Sequence, residues 1–248
     1  MAAEEQGGAN RPHPFQNLSK GAARRIFQQP RGRRKIFKNL PYGKVPPLSK
    51  FRFLIGYGDP AYSDSRKKAS STKALVLLGK LKGVYYVIKA FLARETNANF
   101  ISWYFAMDDY VAHKANVYWY MENNKLQDPF FNQVFRPLLR EQCRDRRREL
   151  YIKGDDRKKT DKATRIEANL EPIDRECRWV FNEQERDNPM MQELINQFKL
   201  FELTLPYPAD GPDAVEGAVT INDIKTAEME PTYTVSYAEL NEDNPYRM

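Results

Sequence analysis

Three features of the sequence predict an α/β protein built on a mixed sheet flanked by helices. Three short apolar runs, from Phe51 to Tyr57, Ala74 to Gly79 and Val84 to Phe91, follow one another in hairpin order. An amphipathic stretch then leads to a fourth run, Asn116 to Met121, and a helical crossover sets that strand parallel to its neighbour. Carboxylates stand where the first and fourth runs stop, at Asp59 and Glu122.

The first run ends in Gly58-Asp59-Pro60, and a polar loop rich in Ser and Lys follows. Gly83 lies in the turn between the second and third runs. Thr96 is placed to cap a helix, because its hydroxyl can accept from a free first-turn N–H. Phe100, Tyr104, Met107 and Val111, with Trp103, then fall on one face at helical spacing, a pattern of core packing. Asp128-Pro129 opens the next helix with a cap and a first-turn proline. Phe131, Val134, Phe135 and Leu138 face inward there, and Pro137 should kink that helix or begin a new one. Arg136, Arg140, Arg144 and Arg148 recur every fourth residue; Glu141, Asp145 and Glu149 can pair with several of them.

Tyr151 to Arg165, YIKGDDRKKTDKATR, reads as an exposed loop or hairpin. Ile166 to Pro172 is a short apolar piece. Arg178 to Phe181 reads as a strand with Trp179 and Phe181 facing one way. Asn188-Pro189 opens a helix bearing Leu194, Ile195 and Phe198. Pro212 at a first helical position, followed by Ala214, Val215, Ala218 and Val219, predicts a small-residue helix able to pack close to a sheet. Asp210 and Asp213 lie at its start.

Three regions follow: an arm from residue 1 to 48 rich in Gly, Pro and Arg, a domain from 49 to 224, and an acidic polar tail from 225 to 248. The arm reads as a solvated linker or as a basic strap on nucleic acid. The net charge of +7 is uneven, with eleven basic residues against two acidic ones from Met1 to Lys50, and twelve against six from Arg136 to Arg165. Two basic regions on an otherwise acidic chain point to a polyanionic partner. Charged residues make up 29%, and no apolar run approaches the ~20 residues of a spanning helix, so no membrane role is expected. The N-terminus has no apolar segment of the secretory kind. Two cysteines and two histidines, none at ligand spacing, exclude a disulfide framework and a Cys/His zinc site, and a reducing compartment is expected. Any metal would be held by oxygen, which favours Mg²⁺ or Mn²⁺. No GxxxxGK[ST] or GxGxxG is present to hold a nucleotide.

The order of the strands can bring Asp59, Glu122 and Asp213 together. Like charges so placed repel unless a divalent cation lies among them. Two ions ~4 Å apart can activate water and stabilise a leaving oxygen in phosphodiester displacement. Each acid also has a plain reading: a turn opener at Asp59, a surface residue at Glu122, helix caps at Asp210 and Asp213.

The motifs YGDPAYSDS at Tyr57 to Ser65, KALVLLG, YYVIKAF, YMENN at Tyr120 to Asn124, KATRIEANLEPI, RWVFNE and DGPDAVEGAV resemble the C-terminal nuclease domain of the tailed-bacteriophage terminase large subunit. The resemblance covers about Phe37 to Asp223. It implies a ribonuclease-H-like fold and a two-metal endonuclease acting on double-stranded DNA during phage genome packaging. It places catalysis on Asp59, Glu122 and Asp213, and metal binding on these and Asp210. It puts Lys162 and Arg165, with neighbouring Lys158 and Lys159, near DNA. An ATPase motor, a portal or a small terminase subunit would be partners, in the cytoplasm of an infected bacterial host. The sequence departs from the family in the loop before Ala74: Ser70, Ser71, Thr72 and Lys73 stand where many relatives carry a further Asp. A resolvase of the same fold class, and a non-catalytic DNA-binding or motor-docking module, are the alternatives.

Overall fold

The computed structural model describes residues 35–61, 72–123 and 131–229. Among these, seven strands form one sheet: β1 (Tyr42–Gly43), β2 (Leu54–Asp59), β3 (Lys73–Leu81), β4 (Val84–Ala93), β5 (Val117–Glu122), β6 (Ile152–Asp155) and β7 (Trp179–Asn182). Their order across the sheet is β1-β7-β4-β3-β2-β5-β6. β2 pairs antiparallel with β3 and parallel with β5, and β3 pairs antiparallel with β4. This is the mixed sheet expected, with the first strand between the hairpin and the crossover strand.

Both faces of the sheet are covered, which is why β2 and β3 read as near-continuous apolar runs rather than alternating ones. Ala74, Val76 and Leu78 of β3 enter one core with Ile55 and Tyr57, while Leu75 and Leu77 enter the other with Leu54. The second core is roofed by α1 (Asn97–Val111) and α2 (Arg136–Arg146). Thr96 caps α1 as expected, its side chain accepting from Asn99 N at 3.2 Å. Before α2, Phe131–Phe135 wind as a π-helix, and Pro137 lies in the first turn of α2, so the proline begins a new helix. The helix start expected at Asp128-Pro129 lies outside the described residues.

The first core is covered by α3 (Lys162–Arg175), α4 (Pro189–Lys199) and α5 (Asp210–Met229). α4 begins as expected, Asn188 capping it by accepting from Met190 N. α5 can lie close to the sheet because its inner face is small. A Cβ at Gly217 would stand 2.4 Å from the Tyr57 ring.

Three expectations are corrected. Residues 151–165 are not an exposed loop or hairpin. Ile152–Asp155 form edge strand β6, parallel to β5, and α3 starts at Lys162 and takes in residues 166–172. The run of charge hid these elements because much of it pairs inside the fold, as described below. The stretch before residue 49 is not all arm, since the compact unit begins at Lys35. There Phe37 packs in the core against Trp179, Phe198 and Phe201, and the Asp174 carboxylate accepts from the N–H groups of Lys38 and Asn39. Finally, helix continues past residue 225 to Met229.

Candidate active site

Strand register sets the first part of the site. Gly58 stands beside Met121 in the parallel β2–β5 pair, so Asp59 and Glu122 follow side by side at the C-terminal ends of their strands. Glu122 in turn stands beside Asp155 of β6. Side chains alternate along a strand, so Asp59 shares a face with Tyr57, and Glu122 with Tyr120. Both tyrosines belong to the core beneath α5, and the carboxylates therefore rise towards that helix. α5 contributes Asp210 and Asp213 in its first turn. Its start is anchored by Gln197 of α4, whose Oε1 accepts from Gly211 N at 2.9 Å.

Oxygens of Asp59, Glu122 and Asp213 all lie within 4.8 Å of one another. The three residues are 8%, 7% and 4% exposed, too buried for solvent to absorb their mutual repulsion. Burial above all pushes the Asp59 carboxyl well above its ordinary range; Lys162 pulls it back, and Glu122, Asp213 and Asp210 push it up again.

Cations from the first turn of α3 and from the segment that precedes it balance the cluster. Lys162 Nζ lies 2.9 Å from Asp210 Oδ1, 3.2 Å from Asp213 Oδ2 and 3.7 Å from Asp59 Oδ2. Burial pulls the Lys162 ammonium towards deprotonation, but these three acids together outweigh it and hold its pKa above the usual lysine range. Arg165 bonds Asp213 at 2.6 Å and also Glu216. Lys162, Arg165 and Asn169 recur at helical spacing on α3 and face Asp213 and Glu216 on α5, Asn169 Nδ2 donating to Glu216 Oε1 at 2.8 Å. On the other flank, Lys159 Nζ lies 2.9 Å from Glu122 Oε2 and donates to the Tyr57 hydroxyl at 2.8 Å. Tyr57 donates to Asp155 Oδ2 at 2.6 Å, and Arg157 grips both Asp155 oxygens from Nε and a terminal nitrogen, each at 2.6 Å. Burial raises the Asp155 carboxyl, but the hydrogen bonds from Arg157 and Tyr57 prevail and hold it below the ordinary value. Thr72 Oγ1 donates to Asp210, which adds a hydroxyl to the site.

The arrangement is a buried cluster of carboxylates from the C-terminal ends of two strands and the start of one helix, closed by two lysines and an arginine. No protein-family model matches the chain, and no curated protein matches it. Solved structures do. The nuclease domain of the human cytomegalovirus terminase matches with a TM-score of 0.55 at 14% identity, over 76% of this chain and 92% of that one. The same domain soaked with Mn and bound to an inhibitor matches with a TM-score of 0.52 at 14% identity, over 78% and 94%. The bacteriophage P22 large terminase nuclease domain aligns over 77% of this chain and 88% of its own, with a TM-score of 0.48 at 14% identity. The chain has the fold of a terminase nuclease domain.

On that terminase-type fold, the structure brings together Asp59, Glu122, Asp213 and Asp210. It also places Lys159, Lys162 and Arg165 on the acids rather than on an exposed loop, whereas Lys158 is exposed. Arg148 of the arginine stripe is tied to Asp108 and Asp109 of α1. Sequence reasoning missed Asp155, Arg157, Tyr57 and Glu216. Glu216 carried a signal, standing three residues after Asp213 and hence on the same helical face. Asp155 carried one also, as an acid closing a short strand in the manner of Asp59 and Glu122.

Proposed function

We propose that the protein is a divalent-metal-dependent endonuclease that cuts double-stranded DNA during phage genome packaging, as the nuclease module of a terminase large subunit. The observation that carries this is the convergence of Asp59, Glu122 and Asp213 from three separate elements in one buried pocket on a terminase nuclease fold. The donor set suits a hard cation such as Mg²⁺ or Mn²⁺, because the clustered ligand atoms are carboxylate oxygens. Asp59 would be shared between two ions, Glu122 holding one with it, Asp213 and Asp210 the other. When bound, such ions supply a nucleophilic hydroxide at neutral pH and stabilise charge on the leaving oxygen.

The protein's own groups prepare that pocket. Lys159 and Arg165 fix Glu122 and Asp213 by direct ion pairs, so both carboxylates are oriented beforehand. The chain Lys159–Tyr57–Asp155–Arg157 ties the first of these to the sheet edge. Lys158, exposed beside the pocket, is suited to a phosphate of the DNA backbone, and Lys159, Lys162 and Arg165 become contacts only where they turn from the acids. An ATPase motor, a portal and a small terminase subunit are the proposed partners, in the cytoplasm of an infected bacterium.

The ion pairs favour a second reading, a non-catalytic DNA-binding or motor-docking module, since Lys162 and Arg165 neutralise the acids without any metal. Incubation with supercoiled plasmid and Mn²⁺, with and without chelator, separates the two. Chelator-sensitive nicking and linearisation is expected; an intact plasmid in Mn²⁺ supports the docking module. Faster cutting of branched than of linear duplexes would indicate a resolvase.

A further inference from the structure

The cations at the pocket are not equivalent. Arg165 sits within α3, its side chain 10% exposed, and spans two acids on the facing helix; Glu216 is held besides by Asn169 and Thr220. Lys159 is 9% exposed and bonded to both Glu122 and Tyr57. Lys162 is different. Its side chain is 30% exposed, while those of its partners Asp59, Asp210 and Asp213 are 11%, 18% and 5% exposed. Its side chain is therefore the most exposed of the three cations on the cluster.

Its backbone position is also unfavourable for a cation. Lys162 is the first residue of α3, directly after the capping Asp161. The unpaired N–H groups there carry the positive end of the helix dipole, which disfavours a lysine. The acids across the site compensate. The side chain is long and unbranched, it follows a segment without helix or strand, and its ammonium is a compact point charge rather than a fork.

A divalent ion shared by Asp59, Asp210 and Asp213 would have to lie within a few ångströms of the point that the Lys162 ammonium occupies. Two such cations repel strongly in a buried site. We propose that Lys162 is a displaceable counter-ion: a divalent cation takes its place on the three carboxylates, and the released ammonium is taken up by a phosphodiester of bound DNA. The inference rests on the reading of these acids as metal ligands. It makes metal and DNA binding mutually reinforcing, because each ligand removes the obstacle to the other.

The test is Mn²⁺ binding to the full chain, followed by calorimetry and by loss of the free Mn²⁺ resonance, alone and with a short phosphorothioate duplex. Wild-type protein should bind Mn²⁺ weakly alone and about tenfold more tightly with duplex. Lys162→Gln should bind Mn²⁺ about tenfold more tightly than wild type without DNA, and the gain from duplex should shrink. Lys162→Arg keeps the charge and should bind no more tightly than wild type. In chelator, Lys162→Gln should melt below wild type, and saturating Mn²⁺ should close the gap. Equal or weaker Mn²⁺ binding by Lys162→Gln, or tighter binding by both variants, overturns the counter-ion role. An Asp59→Asn control separates the two claims. Mn²⁺ binding that needs Asp59 yet ignores Lys162 defeats this inference alone, whereas no Asp59-dependent binding in any variant defeats the metal reading with it.

Discussion

Replacing Gly217 by alanine should destabilise the protein, although alanine is the better helix former. Gly217 lies within α5, where the helix presses on β2. The added Cβ would stand 2.4 Å from two atoms of the Tyr57 ring and 2.9 Å from a third. Ordinary carbon contacts begin near 3.5 Å, so the overlap is about 1 Å. Tyr57 cannot swing away cheaply: it is fully buried, and its hydroxyl bonds Asp155 at 2.6 Å and Lys159 at 2.8 Å. β2 is paired on both sides, so it is α5 that must rise. Overpacking of this kind costs about 1–3 kcal/mol, and a locked aromatic neighbour places this case near the top of that range. The gain in helix propensity returns about 1 kcal/mol, leaving a net loss of roughly 2 kcal/mol. Asp213, one turn earlier, should shift with the helix and weaken Mn²⁺ binding. Urea unfolding monitored by tryptophan fluorescence measures the first effect and calorimetry the second. A Gly217→Ala protein as stable as wild type, or about 1 kcal/mol more stable, would refute the close packing of α5 on Tyr57.

Mn²⁺ should raise the melting temperature of the wild type, a hundredfold excess over Kd giving about 2.7 kcal/mol, and the shift should shrink or vanish in Asp59→Asn. An equal shift in both would place the ion elsewhere. Asp155 has a depressed folded pKa, so its contribution is fully present above the ordinary carboxylate value and is lost as pH falls through the folded value. Asp155→Asn should therefore cost roughly 1–3 kcal/mol at pH 7, and the gap should close on acidification below about pH 4; a gap constant with pH would refute the ion pair. Lys158→Ala should weaken DNA binding and reduce the salt slope by about one, as expected for a phosphate contact. Arg165→Ala should instead strip buried Asp213 and Glu216 of their shared cation and cost about 3–5 kcal/mol in a urea titration. A change in Arg165→Ala confined to DNA affinity would show that the arginine is no structural partner.

The parts of the fold that were legible in the sequence are those whose chemistry is local. Thr96 and Asn188 announce helix starts because a capping side chain acts within a few residues of itself. β2, β3 and β4 announce themselves because strands buried on both faces are continuously apolar. Asp59 and Glu122 could be brought together on paper because strand order and parallel pairing fix which ends meet; Asp213 needed a late helix over the sheet, and Asp210 the family resemblance. β6 and the start of α3 were hidden because their charges look like a solvated surface. Lys162 and Arg165 instead pair with Asp210 and Asp213, each 48 residues away, and Lys159 pairs with Glu122 of β5; no local pattern records such partners. Phe37 was hidden for a related reason. A single aromatic in a basic, proline-rich stretch shows no periodicity, and its place beside Trp179 and Phe198 depends on contacts made far along the chain.

The central claim is that Asp59 joins two strands and a helix into a metal-dependent cutting site. The direct measurement is plasmid cleavage in Mn²⁺ by purified wild type, Asp59→Asn, Asp213→Ala, Glu122→Ala and Asp210→Ala, each checked for folding by circular dichroism. Asp59→Asn should abolish cleavage while DNA affinity holds or rises, since the variant removes a negative charge from the pocket. Asp213→Ala and Glu122→Ala should lose most activity, and Asp210→Ala should be milder, because water can replace an outlying ligand. Four folded variants that cut plasmid as fast as wild type would contradict the claim, and the carboxylate cluster would then serve the ion pairs of a docking module.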